Sequence, residues 1–188
     1  MSNPKLALIP SGYKSGKVYS ILPNDASGDF DFSRASEGTR VGKDGLIEEV
    51  ADNVPRLDWL NSDCPSLLLE PQRTNLQVRS EEFDNASWLK SNTSVEANSI
   101  ISPNGELSAD KLTNTSTSNS YIYDAVSLST LTNYSFSIFA KKGTSSIIEI
   151  DVYSSYTGIQ GRIRFSFDTE IISNEVGTAT FERYPNGW

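Results

Sequence analysis

The sequence contains no histidine and a single cysteine, and each absence excludes a class of functional site. Without histidine there is no Ser-His-Asp triad, no imidazole general base and no histidine metal ligand. One cysteine allows neither an intrachain disulfide nor a cysteine-ligated zinc cluster. We expect this residue, Cys64 beside Pro65, to be a small buried hydrophobe.

Long apolar runs and clusters of basic residues are also missing. No stretch approaches the roughly 20 apolar residues of a membrane span, and residues 1–5 lack the charged-then-apolar layout of a signal peptide. The net charge is −8, from 16 basic and 24 acidic residues spread evenly along the chain. We therefore expect synthesis in a cytoplasm without export, no membrane insertion and no nucleic-acid partner.

Alternation of apolar and polar residues dominates the second half of the chain, and helical periodicity is almost absent. Residues 134–140, 148–152 and 163–167 each place apolar side chains at every second position, and turn-forming clusters at 142–145 and 154–158 separate them. Such spacing is typical of antiparallel sandwiches. The sequence predicts an all-β protein with a β-sandwich from about Trp88 onward.

The first half differs, because prolines and glycines divide it into short extended pieces. Asp44-Gly45 predicts a hairpin with a type I′ turn, which needs positive φ at both central positions. The run Leu67–Leu69 between Pro65 and Pro71 predicts a brief buried strand. Few apolar residues share a face here, so we expect this loop-rich segment to pack against the sandwich, copies of itself or another protein.

Four blocks in a fixed order, at residues 34–36, 41–49, 54–58 and 69–76, resemble the N-terminal region of bacteriophage head-spike and tail-fibre proteins. The resemblance implies a virion structural protein, assembled in the bacterial cytoplasm, that attaches to capsid, collar or tail through residues 1–83. It also implies a homotrimer. The residues that carry the motif are Arg34, Asp44, Gly45, Arg56, Glu70, Arg73, Thr74 and Asn75.

The arginines of these blocks, Arg34, Arg56 and Arg73, are interpreted as structural. A planar guanidinium can grip a carboxylate, such as that of Glu70 or Asp58, through two hydrogen bonds. Such a contact would pin a thin, loop-rich segment together or to a partner chain.

Residues 84–188 resemble the carbohydrate-binding-module-like jelly rolls that follow this region in phage fibres. The similarity lies at Phe83 and Trp88 and at residues 102–112, 135–143, 167–168 and 186–188. In that family the Gly-Trp segment leads into a further strand. The domain ending at Trp188 is therefore expected to lack its final strand, which would leave an open sheet edge.

Exposed tyrosines are the candidate glycan ligands, because a flat ring stacks on the apolar face of a pyranose. The candidates are Tyr121, Tyr123, Tyr153 and Tyr156. Core packing or subunit contact is the other interpretation of the same residues. A host-recognition fibre that binds a cell-surface glycan is accordingly the alternative function.

Acidic residues offer two further hypotheses. Asp110, Asp124 and Asp151 could join a structural calcium site as oxygen ligands, although their spacing does not require it; no other cofactor is expected. Adjacent acids such as Glu48-Glu49 point to opposite faces of a strand and so do not form a glycosidase pair by default. A capsule-degrading enzyme therefore ranks last, and we expect no enzymatic activity.

Overall fold

The computed structural model describes residues 12–19, 30–129 and 133–188. Apart from a single 3₁₀ turn at Pro185–Gly187, all regular structure in these ranges is β-strand, which confirms the all-β class. The chain divides into two compact units, Met1–Tyr134 and Ser135–Trp188; the predicted boundary between residues 83 and 84 stays a prediction. Among the described residues no helix has the length and apolar character needed to cross a bilayer.

Fourteen short strands are assigned in the described ranges, and every pairing between them is antiparallel. The sheets are small and contain two or three strands each: β1-β2-β3, β4-β5, β6-β7, β8-β11, β9-β10 and β12-β13-β14. The strands are β1 Gly12–Lys14, β2 Lys17–Tyr19, β3 Phe30–Asp31, β4 Gly38–Val41, β5 Ile47–Val50, β6 Leu57–Asp58, β7 Ser66–Leu67, β8 Leu89–Ser91, β9 Thr93–Ile101, β10 Leu107–Asn114, β11 Tyr121–Tyr123, β12 Ile147–Ser154, β13 Gly158–Ser166 and β14 Ile171–Val176.

The buried apolar core of the described residues lies in the N-terminal region. Its members come from β2, β4, β5 and β6, and each strand contributes one or two apolar residues. They are Val18, Tyr19, Val41, Val50 and Leu57, with Pro55 also fully buried. The expectation that this segment gathers little apolar surface is therefore wrong. Strands that are separated along the chain each contribute one or two apolar residues to one core. Looking for contiguous apolar runs in the sequence does not detect such a core.

The predicted hairpin at Asp44-Gly45 is present as β4 and β5, but its turn is not type I′. Only Gly45 has positive φ, at 82°. Its N–H donates to the Gly42 carbonyl at 3.0 Å, and the Gly42 N–H donates to the Leu46 carbonyl at 2.8 Å. The Asp44 carboxylate accepts from the Leu46 N–H at 3.1 Å. This bond favours a type I turn closed by a left-handed glycine, the three-residue hairpin loop.

The same turn recurs between β9 and β10. The Gly105 N–H donates to the Ser102 carbonyl at 3.0 Å, and the Asn104 side-chain oxygen accepts from the Glu106 N–H at 2.9 Å. The two hairpins meet at these tips, because the Ile47 N–H donates to the Pro103 carbonyl at 3.0 Å. The contact holds both hairpins in one unit.

Two sequence expectations near residue 65 are wrong. The predicted buried strand is only Ser66–Leu67, and Leu69 is 72% exposed because the chain leaves the ladder before it. Cys64 is exposed rather than buried. It lies in a tight turn in which the Ser62 hydroxyl donates to the Cys64 carbonyl at 2.8 Å, so its position follows from the turn and not from hydrophobicity.

The second unit contains the sheet β12-β13-β14. The register pairs Ile148 with Phe165 and Ile150 with Ile163, which places these side chains on one face. The strand predicted over 134–140 is not assigned, because no neighbouring strand pairs with that segment in the described residues. Alternation determines which side chains share a face of an extended segment, but a β-ladder also needs a neighbouring strand to pair with.

Candidate functional site

The outward face of β12 and β13 carries two acidic and two basic residues in register, and we call Glu149, Asp151, Arg162 and Arg164 the charged face. Arg162 grips Asp151 with two bonds, Nε to Oδ1 at 2.8 Å and Nη2 to Oδ2 at 2.6 Å. Arg164 Nε donates to Glu149 at 3.0 Å. The charges of this face are therefore paired within the sheet.

Pairing also changes proton affinity on the charged face. The hydrogen bonds from Arg162 hold the pKa of Asp151 below its ordinary 3.8, against the opposing effect of burial and with help from the charge of Arg164. Asp151 is thus an acceptor and a fixed negative charge, and not a group that takes up a proton near neutral pH.

Tyr153 lies at one end of the charged face, opposite Ile159 in the register. Its ring is 69% exposed, and Tyr156, in the loop between β12 and β13, is 96% exposed. An exposed ring beside the Asp151–Arg162 pair combines a stacking surface with polar groups. Proteins commonly combine aromatic and polar groups where they bind small molecules.

Tyr121 and Tyr123 form a second tyrosine surface, on β11 in the other unit. They share a face with Leu89, which stands opposite Tyr123. The two rings are 6.0 Å apart between centroids and tilted by 47°, so they pack on each other. Each is about half exposed. The four candidate tyrosines thus lie two in each unit, and the structure shows ring packing between Tyr121 and Tyr123.

Arg34 holds the N-terminal core through backbone oxygens. Its Nη2 donates to the carbonyls of Val50 at 3.0 Å, Ala51 at 2.6 Å and Val54 at 3.2 Å. Its own N–H donates to the Asn53 side-chain oxygen at 3.2 Å. The guanidinium therefore binds carbonyls where a carboxylate was expected.

The remaining motif residues have different surroundings. Arg56 pairs with Glu70, Nη2 to Oε2 at 2.8 Å, and Asp44 and Gly45 form the turn described above. The other three lie between β7 and β8, where no strand is assigned. Arg73 is exposed and donates to the Gln72 carbonyl at 3.5 Å. Thr74 is also exposed, and the Asn75 side-chain oxygen accepts from the Gln77 N–H at 3.0 Å.

The three candidate calcium ligands are separate and engaged elsewhere. Asp110 accepts from the N–H groups of Phe83 and Asn98, each at 2.9 Å, and Asp124 accepts from Gln77 Nε2 at 2.7 Å. Asp151 belongs to the charged face. In the ranges that the structure describes, no three histidine, cysteine, aspartate or glutamate residues are grouped so that they could hold a metal ion.

A cleft in the N-terminal unit joins residues that the sequence does not connect. It lies between β1, β4 and the turn after β6, and its walls include Tyr13, Arg40, Trp59 and Asp63. Burial lowers the pKa of Arg40, but hydrogen bonds with Glu48 and Tyr13 together outweigh this and raise it. The place of Trp59 in this cleft depends on the positions of the sheets, for which the sequence offers no signal.

The chain was compared with protein-family models, with curated proteins and with solved structures. None of the three comparisons found a match.

Proposed function

We propose that this chain is a structural subunit of a bacteriophage fibre or spike, which attaches to the particle through residues 1–83 and displays a jelly-roll module. The four ordered blocks of the first half support this proposal through their resemblance to phage proteins. Two of their arginines, Arg34 and Arg56, brace the buried N-terminal core. Such a braced segment suits an anchor.

One observation carries the self-associating part of the proposal. In the second unit none of the described residues is buried, although the sheet β12-β13-β14 has an apolar face. A sheet with one apolar face must bury it against a second layer to be stable. Copies of the same chain would provide that layer, in a homotrimer in which each copy completes its neighbours' sandwich.

Sedimentation of the purified chain tests self-association, and a virion reconstruction tests location. We expect a trimer at micromolar concentration and density for this chain on the particle surface. A folded monomer with an intact thermal transition would contradict the trimer. Density for other proteins at every fibre and spike position would contradict the virion role.

A second candidate function, recognition of a host-surface glycan, is favoured by the exposure of Tyr153 beside the Asp151–Arg162 pair. Binding to purified host polysaccharides tests it. We expect Tyr153→Ala to abolish binding while folding is retained. Tyr134→Ala is the matched control, because Tyr134 is 44% exposed and lies outside both tyrosine surfaces. Silence across the host panel would overturn this candidate.

A further inference from the structure

The cleft of the N-terminal unit is open to solvent and is lined by aromatic, apolar and polar groups. Its volume is about 570 Å³, within the roughly 300–1,000 Å³ typical of ligand pockets. Leu57, only 5% exposed, and Pro65 contribute apolar surface. Tyr13 and Trp59 add aromatic walls. None of these residues belongs to the tyrosine surfaces discussed above.

Two polar groups of the lining, the exposed Asp63 carboxylate and the indole N–H of Trp59, are candidate contacts for a ligand. Among the residues that the structure describes, neither the Asp63 carboxylate nor the Trp59 indole N–H has a hydrogen-bond or ion-pair partner. One is an acceptor and the other a donor. A ligand that offers both a hydroxyl hydrogen and a hydroxyl oxygen would satisfy both.

The charges around the cleft cancel. Arg40 Nε donates to Glu48 at 2.7 Å, and its guanidinium lies 5.3 Å from the centre of the Tyr13 ring. The Lys43 ammonium lies 5.6 Å from the centre of the Trp59 ring. These two cations balance Glu48 and Asp63. A strongly anionic or cationic ligand therefore gains little, and the aromatic faces already have cations near them.

From this combination we infer that the cleft binds a neutral saccharide of one or two rings. The sugar's apolar face packs against the Tyr13 or Trp59 ring on the side opposite the cation, and its hydroxyls bond to Asp63 and to the Trp59 indole. The inference does not depend on the proposed virion role, because it rests only on the lining residues. It gives the N-terminal region a binding site besides its anchoring role.

Two-dimensional ¹H–¹⁵N NMR on the full chain tests the site through its indole signals. The probes are methyl β-D-glucopyranoside and methyl α-D-mannopyranoside, with glucosamine and glucuronate as charged counterparts. We expect a neutral glycoside to shift the Trp59 indole signal. The Trp88 indole should stay fixed, because it already donates to the Arg79 carbonyl at 2.8 Å. The ligand should also slow alkylation of Cys64, the chain's single thiol, which lines the cleft.

Substitutions separate the site from general effects. We expect Asp63→Ala to weaken binding roughly tenfold or more, as loss of a charge-assisted hydrogen bond does, and Trp59→Phe to weaken it while keeping a ring. Asp84→Ala, at an exposed position outside the cleft, should bind as the parent does. Preference for glucosamine would overturn the neutral-ligand inference. The site would be overturned if no probe shifted the signal. It would also be overturned if Asp63→Ala and Trp59→Phe both bound as tightly as the parent chain.

Discussion

At the scale of single residues, Arg34 is the clearest example of a side chain that organises backbone. Its Nη2 donates to three carbonyls within residues 50–54. One guanidinium therefore holds the end of β5 and the loop that follows it. A charged donor makes stronger hydrogen bonds than a neutral one. The loop-rich N-terminal unit therefore gains order from a cation at its centre.

We predict that Arg34→Ala destabilises the protein by roughly 3 kcal/mol, because partly buried carbonyls lose a charged donor. Chemical unfolding followed by tryptophan fluorescence measures the difference. Arg73→Ala is the matched control from the same motif, because Arg73 is exposed and its guanidinium lies 3.5 Å from the neighbouring Gln72 carbonyl, and it should change stability by less than about 0.5 kcal/mol. Equal losses in the two variants would contradict the assigned role of Arg34.

Residue-level prediction succeeds where the partner is a chemically distinctive group. The Arg56–Glu70 pair joins two motif blocks that were expected to interact. The carbonyl partners of Arg34 could not be predicted, because any residue supplies a carbonyl and only the fold selects which ones converge. For the same reason, only the three-dimensional structure shows that the Asp63 carboxylate has no hydrogen-bond partner among the described residues.

At the scale of elements, the β9–β10 turn shows how closely two hairpins pack. A Cβ added at Gly105 would lie 2.9 Å from Leu46 Cδ1, whereas one at Gly158 would meet no atom within 4 Å. Both glycines have strongly positive φ, 87° and 80°. The pair therefore separates backbone strain from crowding.

We predict that Gly158→Ala costs roughly 1 kcal/mol, from the left-handed backbone alone. Gly105→Ala should cost more, because the Leu46 side chain must also move. Thermal unfolding of both variants measures this. Equal costs would contradict the crowding of Gly105 by Leu46.

The charged face makes a pH-dependent element. Since the folded pKa of Asp151 is lowered, its contribution to stability is present above its unfolded pKa near 3.8 and is lost as pH falls through the folded value. We predict that Arg162→Gln raises the Asp151 pKa toward 3.8 and so removes most of this acid-sensitive contribution to stability. NMR titration of the carboxyl carbon measures it; an unchanged pKa would refute the cause.

Element prediction from the sequence was right about type and less so about detail. Alternation located β12 and β13, and Asp44-Gly45 located a hairpin. The turn type was wrong because the Asp44 side chain bonds to the backbone two residues on. The segment 134–140 alternates equally well, yet pairing depends on a partner strand that its own sequence does not specify.

At the scale of the whole molecule, the two units differ in what they bury. The described core lies entirely in the N-terminal unit, and the second unit has none of its own. The sequence led us to expect the reverse, because long alternating strands look more able to form a core than short broken ones. Alternation, however, predicts an apolar face and not what covers it.

We predict that the thermal midpoint rises with protein concentration, because association stabilises the folded subunit. Val152→Asp, 41% exposed on the apolar face, should remove this dependence. Ile159→Asp, 38% exposed on the charged face, is the matched control and should keep it. Calorimetry over a roughly hundredfold range of protein concentration measures the thermal midpoints of both variants. A midpoint independent of concentration in the parent chain would contradict self-association.

The bond from the Ile47 N–H to the Pro103 carbonyl has a practical consequence for dissecting this protein. Cutting the chain between residues 83 and 84 would separate its donor from its acceptor and expose the Leu46 side chain that packs beside Gly105. The first half expressed alone would expose Leu46 at its hairpin tip, and the second half would leave the Pro103 carbonyl without this donor. Recombinant fragments of this chain are better designed to keep both tips than to follow the sequence boundary.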